Sequence, residues 1–244
     1  MILQDGNGKT GDAMIEAIGL DADDTLWENE TFFRATEAEF LALLRDHADG
    51  DIASRLLDVE RANRARYGFG IKGFMLSMVQ TAIELTDGRI DGRAIGRILE
   101  LGQDMLAHPV DLLDGVPQAL DALAERRLIL ITKGDLIDQE RKIAASGLAH
   151  RFEAIEILVD KTPESYSRVL MRAGVAPEGF VMVGNSMKSD VLPVLDLGGH
   201  GVFIPHDLTW AIEHADAPDH PRTHRLESIA DLPALIARLE ADDA

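Results

Sequence analysis

Four short segments of the chain carry residue types that can hold a cation and an anion side by side. In chain order these residues are Asp21, Asp23 and Thr25, then Thr132 and Lys133, then Lys161, and finally Gly184, Asn185 and Asp190. Clustered carboxylates repel one another, so such a cluster indicates a bound cation. Carboxylate and amide oxygens are ligands that Mg²⁺ prefers. A lysine and a hydroxyl beside that cation can bind the oxygens of an anion. Together these groups are the parts needed for phosphoryl transfer.

A parallel sheet would bring these segments together. Five apolar runs rich in β-branched residues occupy residues 15–20, 128–131, 155–159, 180–183 and 201–204. Continuous apolar runs of this length are typical of strands buried on both faces, and helical patterns lie between them. This alternation predicts an α/β fold with a parallel sheet. Ligands bind at the carboxyl ends of the strands in such sheets, and the polar segments closely follow the first four runs.

The first two runs are separated by a long stretch without a convincing strand. Residues 30–47, 52–66, 73–85 and 94–106 show amphipathic helical patterns instead. We therefore predict an all-helical cap domain over residues 30–107. It would be inserted into a core domain formed by residues 15–29 and 108–244, and residues 1–14 are predicted to form a flexible N-terminal tail.

The order of the four motifs, each after a predicted strand, resembles the haloacid dehalogenase (HAD) superfamily. That resemblance implies a Rossmann-like core, and the helical insert is similar in position to the cap that many members carry. It implies that Asp21 attacks phosphorus, and that Asp23 protonates the leaving alcohol and later activates water. It implies that Thr132 and Lys161 hold the phosphoryl group. Magnesium would be bound by Asp21, the backbone carbonyl of Asp23, Asn185 and Asp190.

Three positions depart from the pattern of the superfamily. Asp24 stands where glycine is frequent, which adds a negative charge beside the nucleophile. Asn185 stands where aspartate is common, so this metal ligand would lack a formal charge. Lys133 stands where asparagine is common, and we treat its ammonium as a candidate substrate ligand.

A glycine-rich segment between two predicted cap helices also carries basic residues. Residues 66–73 read Arg-Tyr-Gly-Phe-Gly-Ile-Lys-Gly. Such a segment could form a mobile loop that reaches the crevice, so Arg66 and Lys72 are predicted to contact the substrate. An ordinary connector between helices is the alternative.

The predicted function is hydrolysis of a small phosphorylated metabolite. A haloacid dehalogenase is the first alternative, but a halide needs no proton when it leaves, so Asp23 argues against it. A phosphonate hydrolase or phosphomutase could use the same scaffold. A catalytically silent binding protein is the alternative from another class, because positions 24 and 185 depart from the pattern.

Composition limits the partners and the compartment. The formal net charge of −19 repels nucleic acid and anionic lipid at long range. It would also repel a phosphate ester, so the site must supply local positive charge from a metal, a lysine or helix N-termini. The chain has no cysteine, which fits a reducing cytoplasm, and no apolar segment of membrane-spanning length. Oligomeric state cannot be read from the sequence.

Overall fold

The computed structural model describes residues 14–208, 213 and 215–242, and these residues form one six-stranded sheet. The strands are β1 (Ala17–Leu20), β2 (Leu128–Lys133), β3 (Ala154–Leu158), β4 (Phe180–Gly184), β5 (His200–Phe203) and β6 (Thr223–Arg225). Neighbouring strands are all parallel, in the order β3-β2-β1-β4-β5-β6. The predicted parallel α/β core is confirmed. The predicted N-terminal tail lies outside the described residues, apart from Met14.

Helices separate the first five strands from one another, as predicted. They are α1 (Glu30–Leu44), α2 (Ile52–Tyr67), α3 (Ile71–Leu85), α4 (Gly92–Ala107), α5 (Val116–Ala122), α6 (Leu136–Ser146), α7 (Pro163–Ala173), α8 (Leu192–Leu195) and α9 (Leu232–Asp242). Strand β6 was not predicted, because its three residues include no apolar run. In the described part of the chain, no helix is both long and apolar enough to cross a bilayer.

Strand β1 lies in the middle of the sheet, between β2 and β4, and this position locates the site. The strand order runs away from β1 in both directions, so loops from its two neighbours diverge and leave a crevice at its carboxyl end. All residues of β1 and β4 are buried, as expected for strands covered on both faces. Leu20 faces a hydrophobic cluster shared with α5 and α9, and Ala17 faces a second cluster shared with α7.

Helices α1 to α4 form an all-helical insert between β1 and β2, which we call the helical insert (Glu30–Ala107). They pack around a hydrophobic cluster of their own, which includes Phe40, Leu56, Met78 and Ile98 and contains no residue of the sheet. The division into a cap domain of residues 30–107 and a core domain stays a proposal. The separate cluster supports it, since a domain has its own hydrophobic core.

Asp24 joins the core to the helical insert. Helix α1 begins at Glu30, and the side chain of its N-cap residue, Asn29, makes no capping hydrogen bond. The Asp24 carboxylate accepts the backbone N–H groups of Asn29 at 2.8 Å and Glu30 at 2.9 Å. Its φ of 57° lies in the left-handed region, where glycine is favoured. The departure from glycine at this position therefore provides a cap for α1.

Substitutions at Asp24 should separate two contributions to the free energy of unfolding, namely the helix cap and the strain of the left-handed backbone. Asp24→Ala loses the cap, worth about 0.5–2 kcal/mol, and keeps a β-carbon in a left-handed conformation that costs about 1–2 kcal/mol in wild type as well. Asp24→Gly loses the cap and relieves the backbone, so it should be more stable than Asp24→Ala by about 1 kcal/mol. Asp24→Asn keeps an acceptor and should stay close to wild type. Urea unfolding measures all three, and equal stability of the alanine and glycine variants would contradict this account.

Candidate active site

Three charged side chains from three different strand ends meet at the centre of the crevice. Asp21 follows β1, Lys161 follows β3, and Asp190 lies in a π-helical turn after β4. The ammonium of Lys161 lies 2.5 Å from Asp21 Oδ1 and 2.6 Å from Asp190 Oδ1. All three residues are buried. The structure thus brings together the predicted nucleophile, the predicted phosphate-binding lysine and one predicted metal ligand.

Burial and this pairing set the protonation of the group. Burial raises the pKa of Asp21 to about 7, with Lys161 opposing and the Asp190 carboxylate adding to the rise. Burial would lower the pKa of Lys161, but the two carboxylates outweigh it and raise that pKa above its ordinary value. Lys161 is therefore a stable cation. Two carboxylates share this single positive charge.

Local structure holds the rest of the predicted set around Asp21. The Thr25 hydroxyl donates to Asp21 Oδ2 at 3.1 Å and lies 3.5 Å from Asn185 Oδ1. Thr132, the last but one residue of β2, is buried and lines the same cavity. A β-carbon at Gly184 would overlap the Asp190 carboxylate, so glycine is required there. Ser186 N–H donates to Asp190 Oδ2 at 2.9 Å and fixes that carboxylate.

The donor set fits a hard divalent cation. Asp21, Asn185 and Asp190 offer oxygen ligands only, which is what Mg²⁺ prefers. The buried charge also fits, because two carboxylates face one ammonium and a cation would offset the excess. A second possible group, Asp24, Glu28 and His206, has ligand atoms within 4.8 Å of one another. Both oxygens of Asp24 already accept the backbone N–H of Glu30, so this second group is less suited to a metal ion.

Asp23 lines the same cavity, but its side chain turns towards helix α6. Its carboxylate accepts hydrogen bonds from Trp27 Nε1 at 2.7 Å and Gln139 Nε2 at 2.8 Å. Lys142 Nζ lies 2.7 Å from both of its oxygens. Burial alone would raise the pKa of Asp23, but Lys142, Gln139 and Trp27 together lower it below its ordinary value. The carboxylate of Asp23 is therefore ionised here.

A second ion pair lines the cavity beside the residues that are predicted to bind phosphate. Lys133 Nζ lies 2.7 Å from Glu213 Oε1 and 2.7 Å from Ser189 Oγ. Burial would raise the pKa of Glu213, but Lys133 and two serine hydroxyls lower it to about 2. The same ammonium stands 4.4 Å from the centroid of the Phe69 ring. Lys133 thus lines the cavity, and its contact with substrate stays a prediction.

The cavity lies between the core and the helical insert and measures about 360 Å³. The glycine-rich segment does line it, through Tyr67, Gly68, Phe69 and Gly70. The predicted basic residues of that segment do not appear on its wall. Arg66 is exposed on α2, and Lys72 instead pairs with Asp135 of the core at 2.9 Å.

Arg64, two residues before Arg66 on α2, is the basic residue of this helix that lines the cavity. It pairs with Asp160 at 3.1 Å and lies over the Phe69 ring. Residues two apart on a helix point about 200° apart, so only one of Arg64 and Arg66 can face the crevice. The sequence pattern did not resolve which, because α2 is polar around most of its circumference.

Sequence reasoning missed several side chains that complete the site. They are Lys142 and Gln139 on α6, Glu213, and a group of charged residues on the wall formed by the helical insert, namely Glu30, Arg34, Glu37 and Glu60. None lies at a spacing that links it to the aspartates of β1. A lysine on the buried face of a helix was the one sequence feature that could have indicated such a residue, and Lys142 lies on the buried face of α6.

Comparison with known proteins agrees with this geometry. A family model described as haloacid dehalogenase-like hydrolase matches residues 15–196. The chain belongs to this family of hydrolases. A crystal structure of a haloacid dehalogenase-like family hydrolase from Xanthomonas campestris is 44% identical, with a TM-score of 0.84 over 94% of this chain and 98% of that one.

Two curated relatives are phosphatases by name. N-acylneuraminate-9-phosphatase of Mus musculus is 25% identical over 94% of this chain and 97% of its own length. Glyceraldehyde 3-phosphate phosphatase of Methanothermobacter thermautotrophicus is 26% identical over 81% of this chain and 89% of its own length. The family assignment confirms that the chain is an enzyme of the HAD-like hydrolase class.

Glu60 should make stability depend on pH in a defined direction. Burial raises its pKa to about 7, and the nearby Glu37 and Glu30 add to the rise. An unfolded glutamate ionises near its ordinary value, so the folded state loses stability as pH rises from about 4.5 through 7. Glu60→Gln should remove that loss. Its Tm should exceed that of wild type above pH 7 by about 2–4 °C for each 1 kcal/mol gained, and equal it near pH 4.5.

The matched control is Asp58→Asn, an exposed acid on the same helix. It removes the same unit of negative charge, so only the effect of Glu60→Gln beyond that of Asp58→Asn is assigned to the burial of Glu60. A pH-independent difference between Glu60→Gln and wild type would contradict the raised pKa.

Proposed function

We propose that this hydrolase is a Mg²⁺-dependent phosphatase that hydrolyses a small-molecule phosphomonoester through a phospho-aspartyl intermediate. The observation that carries the proposal is the placement of two aspartates, Asp21 and Asp23, on one cavity with Lys161 and Thr132. The two curated relatives named as phosphatases support it. A cytoplasmic location belongs to the same proposal and rests on the cysteine-free composition.

In the first step an oxygen of the Asp21 carboxylate attacks phosphorus. The bond from that oxygen to phosphorus forms while the bond from phosphorus to the alcohol oxygen breaks, and the carboxyl of Asp23 gives its proton to that oxygen. Lys161, Lys133 and Thr132 hold the oxygens of the transferring group. An alkoxide is a poor leaving group, so the proton is what makes this step feasible.

In the second step the Asp23 carboxylate takes a proton from water. The resulting hydroxide oxygen attacks phosphorus of the aspartyl phosphate, and the bond from phosphorus to Asp21 breaks. Inorganic phosphate leaves, Asp21 is again a carboxylate, and Asp23 is again protonated. Mg²⁺ held by Asp21, the Asp23 carbonyl, Asn185 and Asp190 would neutralise charge on the phosphoryl oxygens.

The ionised state of Asp23 in the free protein suits the second step directly. For the first step it must be protonated, although Lys142 lowers its pKa. An incoming phosphate monoester carries up to two negative charges, and a nearby like charge raises the pKa of a carboxyl group. Substrate binding therefore favours the protonated form that the first step needs.

A contact with substrate is assigned to Lys133 but not to Arg66 or Lys72. Lys133 lies on the cavity wall, whereas Arg66 is exposed. Lys72 is assigned to the junction between the helical insert and the core, where it pairs with Asp135. Arg64 makes a second link of the same kind through Asp160.

Phosphate ester hydrolysis accounts for the site better than the alternatives do. A dehalogenase would have no use for a proton donor at Asp23. A silent binding protein would explain two departures from the superfamily pattern, but Asp24 has a structural reason, since it caps α1. Asn185 is the remaining departure, and its amide oxygen still faces the site beside Thr25.

Variants of the two aspartates test the covalent mechanism. Asp21→Asn should abolish turnover, because an amide is a very poor nucleophile. Asp23→Asn keeps the nucleophile and the backbone carbonyl but loses the acid, so the rate of hydrolysis of an alkyl phosphate should fall about 10²–10⁴-fold. The rate of the first step should fall less for an aryl phosphate, since phenolate leaves without a proton.

The measurement is rapid-quench kinetics with an aryl phosphate. Asp23→Asn should release a burst of aryl alcohol and then turn over slowly, because the water step has lost its base. Near-normal activity in pure Asp21→Asn protein would overturn the covalent mechanism in favour of a metal-activated water.

The metal ligands should respond in opposite directions to two substitutions. Asp190→Ala removes a charged ligand and should abolish Mg²⁺-dependent activity. Asn185→Asp adds a charge facing the cation and should tighten Mg²⁺ binding, measured by calorimetry without substrate. Unchanged Mg²⁺ dependence in Asp190→Ala would show that the metal is held elsewhere.

A further inference from the structure

Helix α6 presents two buried side chains to the carboxylate of Asp23. Lys142 reaches both oxygens of Asp23 at 2.7 Å and the Asn29 Oδ1 at 3.2 Å. Gln139, three residues earlier on the same helical face, donates to Asp23 Oδ2 at 2.8 Å. Both side chains are more than nine-tenths buried and line the cavity. The orientation of this carboxylate is therefore set by a helix far from it in sequence.

The amide of Gln139 is held in one orientation. Its nitrogen donates to the Lys133 carbonyl at 3.0 Å as well as to Asp23, so both of its N–H groups are used. Its buried oxygen has no hydrogen-bond partner among the residues that the structure describes. An unsatisfied buried acceptor is unfavourable and often marks a functional constraint. The Gln139 amide thus donates to the carboxylate of Asp23 while its own oxygen stays without a hydrogen bond in the described part of the chain.

We infer that Lys142 and Gln139 are positioning residues for the proton transfers of Asp23. The inference rests on the proposed phosphatase function. Two donors on one rigid helix, together with Trp27 Nε1, fix the carboxylate from one side. Its orientation then remains defined while its proton moves between the leaving alcohol and water. Misplacement of a reacting group by about 1 Å can cost roughly 10²-fold in rate.

A purely structural ion pair between α6 and the loop after β1 is the competing explanation. It predicts that loss of Lys142 weakens stability and lowers activity on every substrate alike, whether or not Asp23 can transfer protons. A positioning role predicts that the loss depends on Asp23 and on the leaving group. These two expectations differ in a double-mutant cycle.

The experiment compares Lys142→Met, Asp23→Asn and the double variant on matched alkyl and aryl phosphates. Lys142→Met should lower kcat for the alkyl phosphate about 10–100-fold with little change in KM, and lower the burst rate for the aryl phosphate much less. In the Asp23→Asn background the same change should cost less than about 3-fold, because no acid remains to be positioned. Lys142→Arg should recover part of the activity, since it can still donate to both oxygens.

Gln139→Leu provides a second variant should Lys142→Met fail to fold. It removes one donor and should show the same leaving-group pattern with a smaller loss. Glu140→Gln, an exposed substitution on the same helix, is the matched control and should behave as wild type.

The outcomes separate this inference from the proposed function. Wild-type kcat in both Lys142→Met and Gln139→Leu, or an equal loss with and without Asp23, would overturn the positioning role alone. If the wild-type enzyme has no phosphatase activity, or if its activity survives in Asp21→Asn, the proposed function is wrong and the inference fails with it.

Discussion

The buried triad of Asp21, Lys161 and Asp190 is the interaction on which the rest of the structure depends. A buried carboxylate without a partner protonates, and a protonated Asp21 could not act as the proposed nucleophile. Lys161 lies within 2.6 Å of both carboxylates and supplies the charge that opposes the protonation of Asp21. Each member comes from a different strand end, so the triad exists only if β1, β3 and β4 end at the same edge of one parallel sheet. The fold is therefore a requirement of the charge arrangement.

Each of these carboxylates is held in place by a neighbouring hydrogen-bond donor. Gly184 leaves room for Asp190, and the N–H of Ser186 holds it. Thr25 holds Asp21 from the other side. The ion pairs of Lys133 with Glu213 and of Lys142 with Asp23 repeat the principle farther out. A buried charge is tolerated when it is paired and hydrogen-bonded, and the site is built from such pairs.

The sequence predicted what lies at the strand ends, and the reason is geometric. Apolar runs identify strands, parallel strands end at one edge, and so Asp21, Thr132, Lys161 and Asp190 had to converge. The side chains that reach the site from helix faces were beyond this reasoning. Lys142 is 119 positions from Asp23, and no periodic pattern encodes their contact.

Local conformation explains other differences from the prediction. Asp24 was read as an added charge beside the nucleophile, but its φ of 57° directs the carboxylate to the N-terminus of α1. The choice of Arg64 over Arg66 for the cavity wall depends on the rotation of α2, which a largely polar helix does not reveal. Strand β6 has only three residues and pairs at the edge of the sheet. Such features follow from tertiary packing.

The charge of the cavity favours a bound cation in the proposed chemistry. Nine acidic and five basic residues line it, and burial raises the pKa of Asp21, Glu30 and Glu60 to about 7. The wall is thus short of positive charge even before substrate binds. A phosphate monoester would add up to two negative charges in a protein whose net charge is already −19. Lys133, Lys142 and Lys161 are each committed to a carboxylate, so they cannot neutralise the substrate alone. A divalent cation beside Asp21 and Asp190 would supply the missing charge.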